Sequence, residues 1–205
     1  MKKLKTLLLA FAVIVTLVAC SPKNGTGENV DEKSNTNTVE TNENRELLPN
    51  TYKFPEKELY IDIPDYSHIE SGYTELFKNR ENKYVTITYS DDNTFENVKE
   101  VFDSLYPKFK NNVSSWHSIN DETFTSVENV EINGISVQRV IGTVEYGILD
   151  KYDCYLYGYS FIFEGVPCAI IGVVTDLDQP QKEIDELTDI VDAMMKSVRK
   201  TYKTE

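Results

Sequence analysis

Apolar and polar residues alternate along several short stretches of the chain, which is the pattern of half-buried β-strands. Residues 58–63 (ELYIDI) alternate in this way up to Pro64 and predict a strand. The segments YTELFK and KYVTITY flank residues 79–82, so we expect them to pair as a hairpin. The first part of the folded region is therefore predicted to be antiparallel β-structure.

The strongest turn signal is Asn133-Gly134 within VENVEINGISVQRVIGTVEY. Both residues accept the positive φ angles of a two-residue hairpin turn, and such a turn fixes the pairing of its two strands. The predicted register pairs Val130 with Val137. It also places Glu128 across from Arg139, as an ion pair on the same ladder.

A second predicted hairpin covers residues 154–175 and turns at Glu164-Gly165. Its strands are apolar on both faces, which is typical of strands that are covered on both sides. The register puts Cys168 opposite Phe161 and leaves the thiols of Cys168 and Cys154 about 20 Å apart, well beyond disulfide reach. We therefore expect two buried free thiols.

Two stretches carry apolar residues at helical spacing. The first follows SDDNT, where Thr94 or Asn93 can cap the first turn, and we expect this helix to end near Pro107 or shortly after. Its apolar positions are Phe95, Val98, Phe102, Leu105, Tyr106 and Phe109. The second has acids at its start and lysines at its end, which suits the helix dipole, with Asp178 or Gln179 as the expected cap. Its stripe is Ile184, Leu187, Val191, Met194, Met195 and Val198.

In chain order the pattern predicts strands, a helix, at least four antiparallel strands and a terminal helix. Apolar sheet faces must be covered, so we expect an α+β fold in which helices sandwich an antiparallel β-sheet. The ELYIDIP strand, the helix after SDDN, the INGISVQRV hairpin and the C-terminal MMKSVRK helix resemble the PsbP-like family over residues 54–200. That family includes photosystem lumenal subunits and many bacterial lipoproteins. The resemblance implies an extracytoplasmic α-β-α binding or assembly module, usually without catalysis, and it transfers no site residues.

The N-terminus has the layout of a signal peptide. Three lysines precede an uncharged run over residues 6–19, which is shorter than the roughly 20 apolar residues of a membrane-spanning helix. Leu17-Val18-Ala19-Cys20 resembles the lipobox of bacterial lipoproteins, in which diacylglycerol, with acyl chains such as palmitate, is attached to the cysteine before the signal is cut. We expect residues 1–19 to be the signal peptide and Cys20 the lipid attachment site. The alternatives are an ordinary secreted protein and a short uncleaved anchor.

Composition separates a tether from a folded domain. Residues 21–50 contain no aromatic residue, whereas all 13 tyrosines lie beyond them. We interpret residues 20–50 as the lipidated cysteine and a flexible tether, with an end-to-end distance of about 30 Å. Residues 51–205 are then a single domain. The protein is predicted to be anchored to the cell membrane on its extracytoplasmic side.

The charge of the chain narrows its partners. Lys and Arg number 21 against 34 Asp and Glu, for a formal net charge of −13. This balance disfavours nucleic acid, which requires a basic surface. It also repels anionic lipid head groups, so attachment to the membrane has to come from the acyl chains.

No catalytic residue or cofactor is predicted. NGISVQ and YGYSFI each lack the second glycine of a serine nucleophile elbow. The two histidines, His68 in an expected loop and His117 beside Trp116, are interpreted as surface or packing residues. The alternative is an envelope enzyme whose site is assembled from distant residues such as His117 and Glu128.

Two acidic clusters raise a calcium hypothesis, because carboxylate oxygens are the ligands that calcium prefers. The clusters are Asp91, Asp92, Asn93 and Glu96, and Asp176, Asp178, Glu183 and Asp185. Neither has the glycine and terminal glutamate of a twelve-residue calcium loop, and both fall where a predicted helix begins. Helix capping accounts for them, so no metal site is predicted.

An aromatic row is the candidate binding feature. Tyr155, Tyr157 and Tyr159 project from one face of a predicted strand, and such rings can hold a glycan, a peptide or an apolar ligand. They can equally form the floor on which a helix packs, with Tyr157 across from Gly172, and we favour this interpretation. If a helix covers the row, the tyrosines are packing residues and not a ligand-binding surface.

The sequence thus predicts a membrane-anchored extracytoplasmic lipoprotein whose domain binds an envelope protein or a small ligand and performs no covalent chemistry. An envelope enzyme is the second class, and a purely structural surface lipoprotein is the third.

Overall fold

The structure, a computed structural model, describes residues 46–55, 57–71, 74–79, 82–92, 94–113, 119–147, 152–175 and 181–201. The predicted signal peptide, Cys20 and most of the predicted tether lie outside the described residues. In chain order the elements are β1 Asn50–Lys53, β2 Tyr60–Ile63, β3 Ser67–Ser71, β4 Thr74–Lys78, β5 Lys83–Tyr89, α1 Val98–Val113, β6 Ile119–Ile132, β7 Ile135–Tyr146, β8 Tyr152–Phe163, β9 Val166–Val174 and α2 Gln181–Lys196.

Seven of these strands form one antiparallel sheet in the order β3-β4-β5-β9-β8-β7-β6, while β1 and β2 pair separately. The predicted hairpin of β4 and β5 is confirmed, and β5 joins it to the centre of the sheet by pairing with β9. Helix α1 packs on one face of the sheet, and α2 packs on the other together with β1 and β2. The predicted α+β fold, an antiparallel sheet sandwiched by helices, is confirmed.

The predicted register of the β6–β7 hairpin is confirmed. Asn133 and Gly134 form its two-residue turn with φ angles of 51° and 76°. Val130 pairs with Val137, and the Glu128 carboxylate forms an ion pair with Arg139, its cross-strand neighbour. Two residues with positive φ identify a type I′ turn, whose twist matches that of the strands.

The β8–β9 hairpin is also confirmed, and it forms the centre of the fold. Cys168 pairs with Phe161. Every residue of β9 is buried, as expected for a strand covered on both faces. Cys154 and Cys168 are buried free thiols. Burial raises the pKa of the Cys154 thiol to about 12, so this thiol is unreactive at neutral pH.

Helix α1 differs from the prediction at both ends. It is capped by Asn97, whose Oδ1 accepts hydrogen bonds from the backbone N–H groups of Lys99 and Glu100 at 3.1 Å each. The expected cap Thr94 instead donates to the Asp92 carboxylate; the other candidate, Asn93, lies outside the described residues.

The other end of α1 lies beyond Pro107, which is inside the helix and does not end it. An internal proline costs about 3 kcal/mol through a lost hydrogen bond and a clash. Tyr106 and Phe109 are buried on either side of Pro107, so tertiary packing holds the helix through this point. The helix therefore runs six residues past Pro107, to Val113, which is further than the sequence predicted.

Helix α2 packs closely on β9 because Gly172 presents no side chain. A Cβ at this position would lie 2.8 Å from both Leu187 Cδ1 and Val191 Cγ2. Most of the predicted apolar stripe of α2 is buried in the core between this helix and the sheet. The predicted caps of α2, Asp178 and Gln179, lie outside the described residues.

Ion pairs hold α2 near both ends. Lys83 of β5, only 5% exposed, contacts the carboxylates of Glu183 and Glu186 in the first turns of α2. Just beyond α2, Arg199 binds Asp62 of β2 at 2.6 Å. A mostly buried charge is tolerated when it is paired in this way, so these contacts also fix where the helix lies.

We expect Gly172→Ala to lower the free energy of unfolding by about 1–3 kcal/mol, because the added methyl overpacks the contact with Leu187 and Val191. Urea denaturation monitored by circular dichroism measures the change. Asp189→Ala, on the exposed face of the same helix, is the control and should stay within about 0.5 kcal/mol of wild type. Equal stabilities for the two variants would contradict the close contact.

Candidate functional site

Helix α2 covers the row of tyrosines on β8. Tyr157 and Tyr159 are 3% and 2% exposed, and Tyr155 is half-buried beside them. All three lie on the α2 face of β8, and Tyr157 pairs with Gly172 as predicted. The rings of Tyr157 and Tyr159 are therefore part of the core, and their faces are not open to a ligand.

The hydroxyls of this row meet one carboxylate of α2. Tyr157 Oη and Tyr159 Oη lie 2.8 Å apart, and they lie 2.7 Å and 2.8 Å from Asp192 Oδ1. Each hydroxyl has one hydrogen to donate, so only two hydrogens are available for these three contacts. The two hydroxyls cannot both donate to each other, and the Asp192 carboxylate therefore has to act as an acceptor. Burial, followed by the hydrogen bonds to Tyr159 and then Asp192, raises the pKa of Tyr157, and burial raises that of Tyr159 to about 12.

A second carboxylate engaged by tyrosine, Glu75 of β4, is fully buried at 1% exposure, whereas Asp192 is half-buried. Its Oε1 accepts a hydrogen bond of 2.9 Å from the Tyr52 hydroxyl, and its Oε2 lies 2.6 Å from His68 Nε2. His68 stacks on Phe77, its cross-strand neighbour, with ring centroids 4.9 Å apart. Burial and then Glu75 raise the pKa of Tyr52. The carboxylate links β1 to the sheet, since each of its oxygens is engaged by a different strand.

His68 was predicted to lie in a loop, and this is wrong: it belongs to the edge strand β3. Its partner Glu75 was missed because the contact exists only once β3 and β4 pair. The interpretation of His68 as a packing residue agrees with its stacked ring. His117 lies outside the described residues.

Among the described residues, no three or more His, Cys, Asp or Glu side chains are grouped as a metal site would require. In the first acidic cluster, Asp92 accepts hydrogen bonds from Thr94. In the second, Glu183 is engaged by Lys83. Asp176 and Asp178 lie outside the described part of the chain.

A cleft of about 580 Å³ opens where α1 begins, beside the turn of the β6–β7 hairpin. We call it the hairpin cleft. Its apolar lining comes from Val98, Ile135, Ile162 and Phe163, and its polar lining from Glu96, Asn97, Asn133, Gly134 and Ser136. Such a mixture of apolar surface and a few hydrogen-bonding groups is typical of a binding site.

Contacts between α1 and β8, and between the hairpin turn and α2, position the walls of this cleft. The Asn97 cap fixes the first turn of α1, and the Ser160 hydroxyl of β8 donates to the Val98 carbonyl at 3.0 Å. On the hairpin side, the Asn133 amide donates to the Lys196 carbonyl of α2 at 2.9 Å. The sequence did not reveal the cleft, because its walls are far apart along the chain and meet only through the sheet.

No protein-family model and no curated protein matches the chain, but solved structures do. The Saccharomyces cerevisiae Ran-binding protein Mog1p matches with a TM-score of 0.52 and 6% identity, over 73% of this chain and 94% of that protein. Cyanobacterial PsbP from Synechocystis sp. PCC 6803 gives 0.49 and 11%, over 75% and 92%. A Pseudomonas aeruginosa protein of unknown function gives 0.41 and 13%, over 76% and 98%. The chain thus shares the α+β fold of Mog1p, and at these identities the likeness shows the fold alone.

No helix within the described residues combines the length and the apolar character needed to cross a bilayer.

We expect Asp192→Ala to lower the free energy of unfolding by about 1–3 kcal/mol, because it leaves buried tyrosine hydroxyls short of an acceptor. Replacing Tyr157 and Tyr159 by Phe in the Asp192→Ala background should recover part of the loss. Urea denaturation measures both effects, with Asp189→Ala as the control. An Asp192→Ala variant as stable as wild type would contradict this role.

The same cluster predicts a fall in stability at alkaline pH. The pKa of Tyr159 is about 12 in the folded chain and about 10 in an unfolded one. The unfolded state therefore loses its proton first, and the stabilisation is complete below pH 10 and is lost as the pH rises towards 12. Tyr159→Phe should show a smaller loss over this interval.

Proposed function

We propose that this chain is a membrane-anchored extracytoplasmic lipoprotein whose domain binds a protein partner through the hairpin cleft. In this proposal residues 1–19 are the signal peptide and Cys20 carries the lipid. The tether follows Cys20 and ends before Leu48, which is buried in the core just ahead of β1, and the binding domain extends from there to residue 205. The domain holds its partner by non-covalent contacts.

The observation that carries the binding function is the lining of the hairpin cleft. The described lining offers apolar side chains beside amide and hydroxyl groups and the carboxylate of Glu96, and it includes neither histidine nor cysteine. Apolar surface supplies affinity when a partner side chain enters the cleft, while a polar group such as the Ser136 hydroxyl can fix its orientation. These are the properties of a recognition site.

The fold supports the same class of function. Mog1p, whose fold this chain shares, is described as a Ran-binding protein. We extend to this chain only the class of activity, the binding of another protein, because the identity of 6% supports no closer transfer.

The lipobox resemblance at Cys20 supports the anchor, and the charge of the chain favours acyl chains over electrostatic attraction as the means of attachment. With a formal net charge of −13, the protein would be repelled by anionic head groups. Two acyl chains bury enough methylene groups, at about 0.8 kcal/mol each, to hold a protein stably on a bilayer. The tether then leaves the domain free to meet a partner.

We expect the wild-type protein to be recovered with membranes and to incorporate labelled palmitate, and Cys20→Ser to lose both properties, because it removes the thiol that would be acylated. Membrane fractionation and mass spectrometry of the N-terminal peptide measure this. Cys154→Ser, at a buried thiol, is the matched control and should stay labelled. Equal membrane recovery of Cys20→Ser and wild type would contradict the anchor.

We expect Ser136→Trp to reduce recovery of the partner about tenfold, because the indole fills the hairpin cleft and removes a central contact. Chemical cross-linking in intact envelopes, followed by quantitative mass spectrometry, measures recovery. Asp189→Trp adds the same side chain to the exposed face of α2 and should leave recovery unchanged. If Ser136→Trp recovers the wild-type amount, or if wild type recovers no partner, the proposed function is wrong.

A further inference from the structure

The edge strand β6 is open to a partner on the side away from β7. It has 14 residues, and among the described residues no strand pairs with that side. Register shifts interrupt its pairing between Ile119 and Glu122 and between Phe124 and Ser126. From Ser126 to Ile132 the pairing is regular, which leaves about 20 Å of straight edge.

The turn determines which backbone groups point outward. Its type I′ geometry makes Ile132 and Ile135 a hydrogen-bonded pair, and bonded and non-bonded pairs alternate from there along the ladder. Val127, Asn129 and Glu131 therefore direct their N–H and C=O groups away from β7. These three residues form a template for one more strand.

The side chains on this edge are both apolar and acidic. Val127 is 52% exposed, and Asn129 and Glu131 on the same face are also exposed. The strand INDETFTSVENVEI carries four acids and no base. Two of these acids are engaged, Glu122 by Lys110 and Glu128 by Arg139.

This charge decides between two possible occupants. A second copy of the chain, paired through β6, would bring two acid-rich strands together, and like charges across a ladder are destabilising. Acids and bulges on an edge are devices that prevent such self-association. A basic strand, by contrast, would gain an opposite charge at Glu131 without losing the backbone hydrogen bonds.

We propose that β6 binds an extended, basic segment of the partner protein as an additional strand of the sheet. This inference rests on the proposed function, since it states how part of the partner is held. The segment carries an apolar side chain opposite Val127 and a lysine or arginine opposite Glu131. These two positions are four residues apart on one face, because alternate residues of a strand share a face.

A symmetric peptide tests the proposal without assuming a strand direction. It has valine at its centre, lysine at each end and three threonines on either side, so that one lysine meets Glu131 whichever way the peptide runs. Its partner in the assay is the full mature chain. Fluorescence anisotropy measures affinity, and hydrogen exchange measures protection of the Val127, Asn129 and Glu131 amides. A peptide with terminal glutamates is the matched control.

Two variants separate the backbone from the charge. Val127→Pro removes an outward N–H while leaving the hydrogen bonds to β7, and it should abolish binding. Glu131→Lys should weaken the lysine peptide about fivefold and restore binding of the glutamate peptide. Circular dichroism establishes that both variants are folded.

The expected result is binding of the lysine peptide, protection of the three amides, and both variant effects. The inference is overturned if the lysine peptide fails to bind at millimolar concentration, or if neither variant changes its affinity. Protection of these amides in the chain alone, together with a dimer by sedimentation, would assign the edge to a second copy. Loss of partner recovery in Ser136→Trp but not in Val127→Pro would leave the proposed function standing and remove this inference.

Discussion

The central hairpin β8–β9 has to be covered on both faces, and the rest of the structure depends on this constraint. Every residue of β9 is buried, with Ile171 on the α1 side and Ile170 on the α2 side. Apolar surface of this extent is stable only when it is removed from water, so each face requires a helix. The sheet then extends to both sides as far as the helices and the remaining strands can cover it.

The contacts of α2 show how such a helix is given one position. Apolar packing favours burial of the helix but does not fix its position along the sheet. Hydrogen bonds and ion pairs do fix this position, because they require particular atoms to meet. Lys83 holds the first turns of α2, and Asp192 binds the hydroxyls of Tyr157 and Tyr159 further along. Gly172 admits the helix backbone between these contacts. The buried polar groups thus act as positioning contacts within a largely apolar core.

Local patterns in the sequence predicted the features of the fold that are determined by residues close together along the chain. Asn133-Gly134 determines its own turn, so the pairing of Val130 with Val137 followed from the turn alone. The helix stripe and the buried thiols followed from periodicity and register in the same way. The end of α1 did not, because Pro107 is tolerated only through packing that the local sequence does not contain.

The candidate site could not be predicted from the sequence, because it depends on contacts between residues that are far apart along the chain. The hairpin cleft joins the start of α1 to a turn and to the end of β8, and the β6 edge exists only because the strand order places β6 last. The tyrosine row was visible in the sequence, but its role depended on whether α2 covered it. A single sequence reveals which residues share a face, whereas the partner of that face is set by the whole topology.

Because the helices cover the central strands β8 and β9, a partner has to bind elsewhere on the domain. Around β8 and β9 the helices leave little surface for a partner, and the tyrosines there are engaged by Asp192. The β6–β7 hairpin lies at the side of the sheet, where the long strands carry exposed residues such as Val127 and Glu131. Side chains there can change without loss of the core, because the central packing does not depend on them. We therefore expect a partner to bind at this edge and its cleft, whereas the residues at the centre of the sheet stabilise the fold.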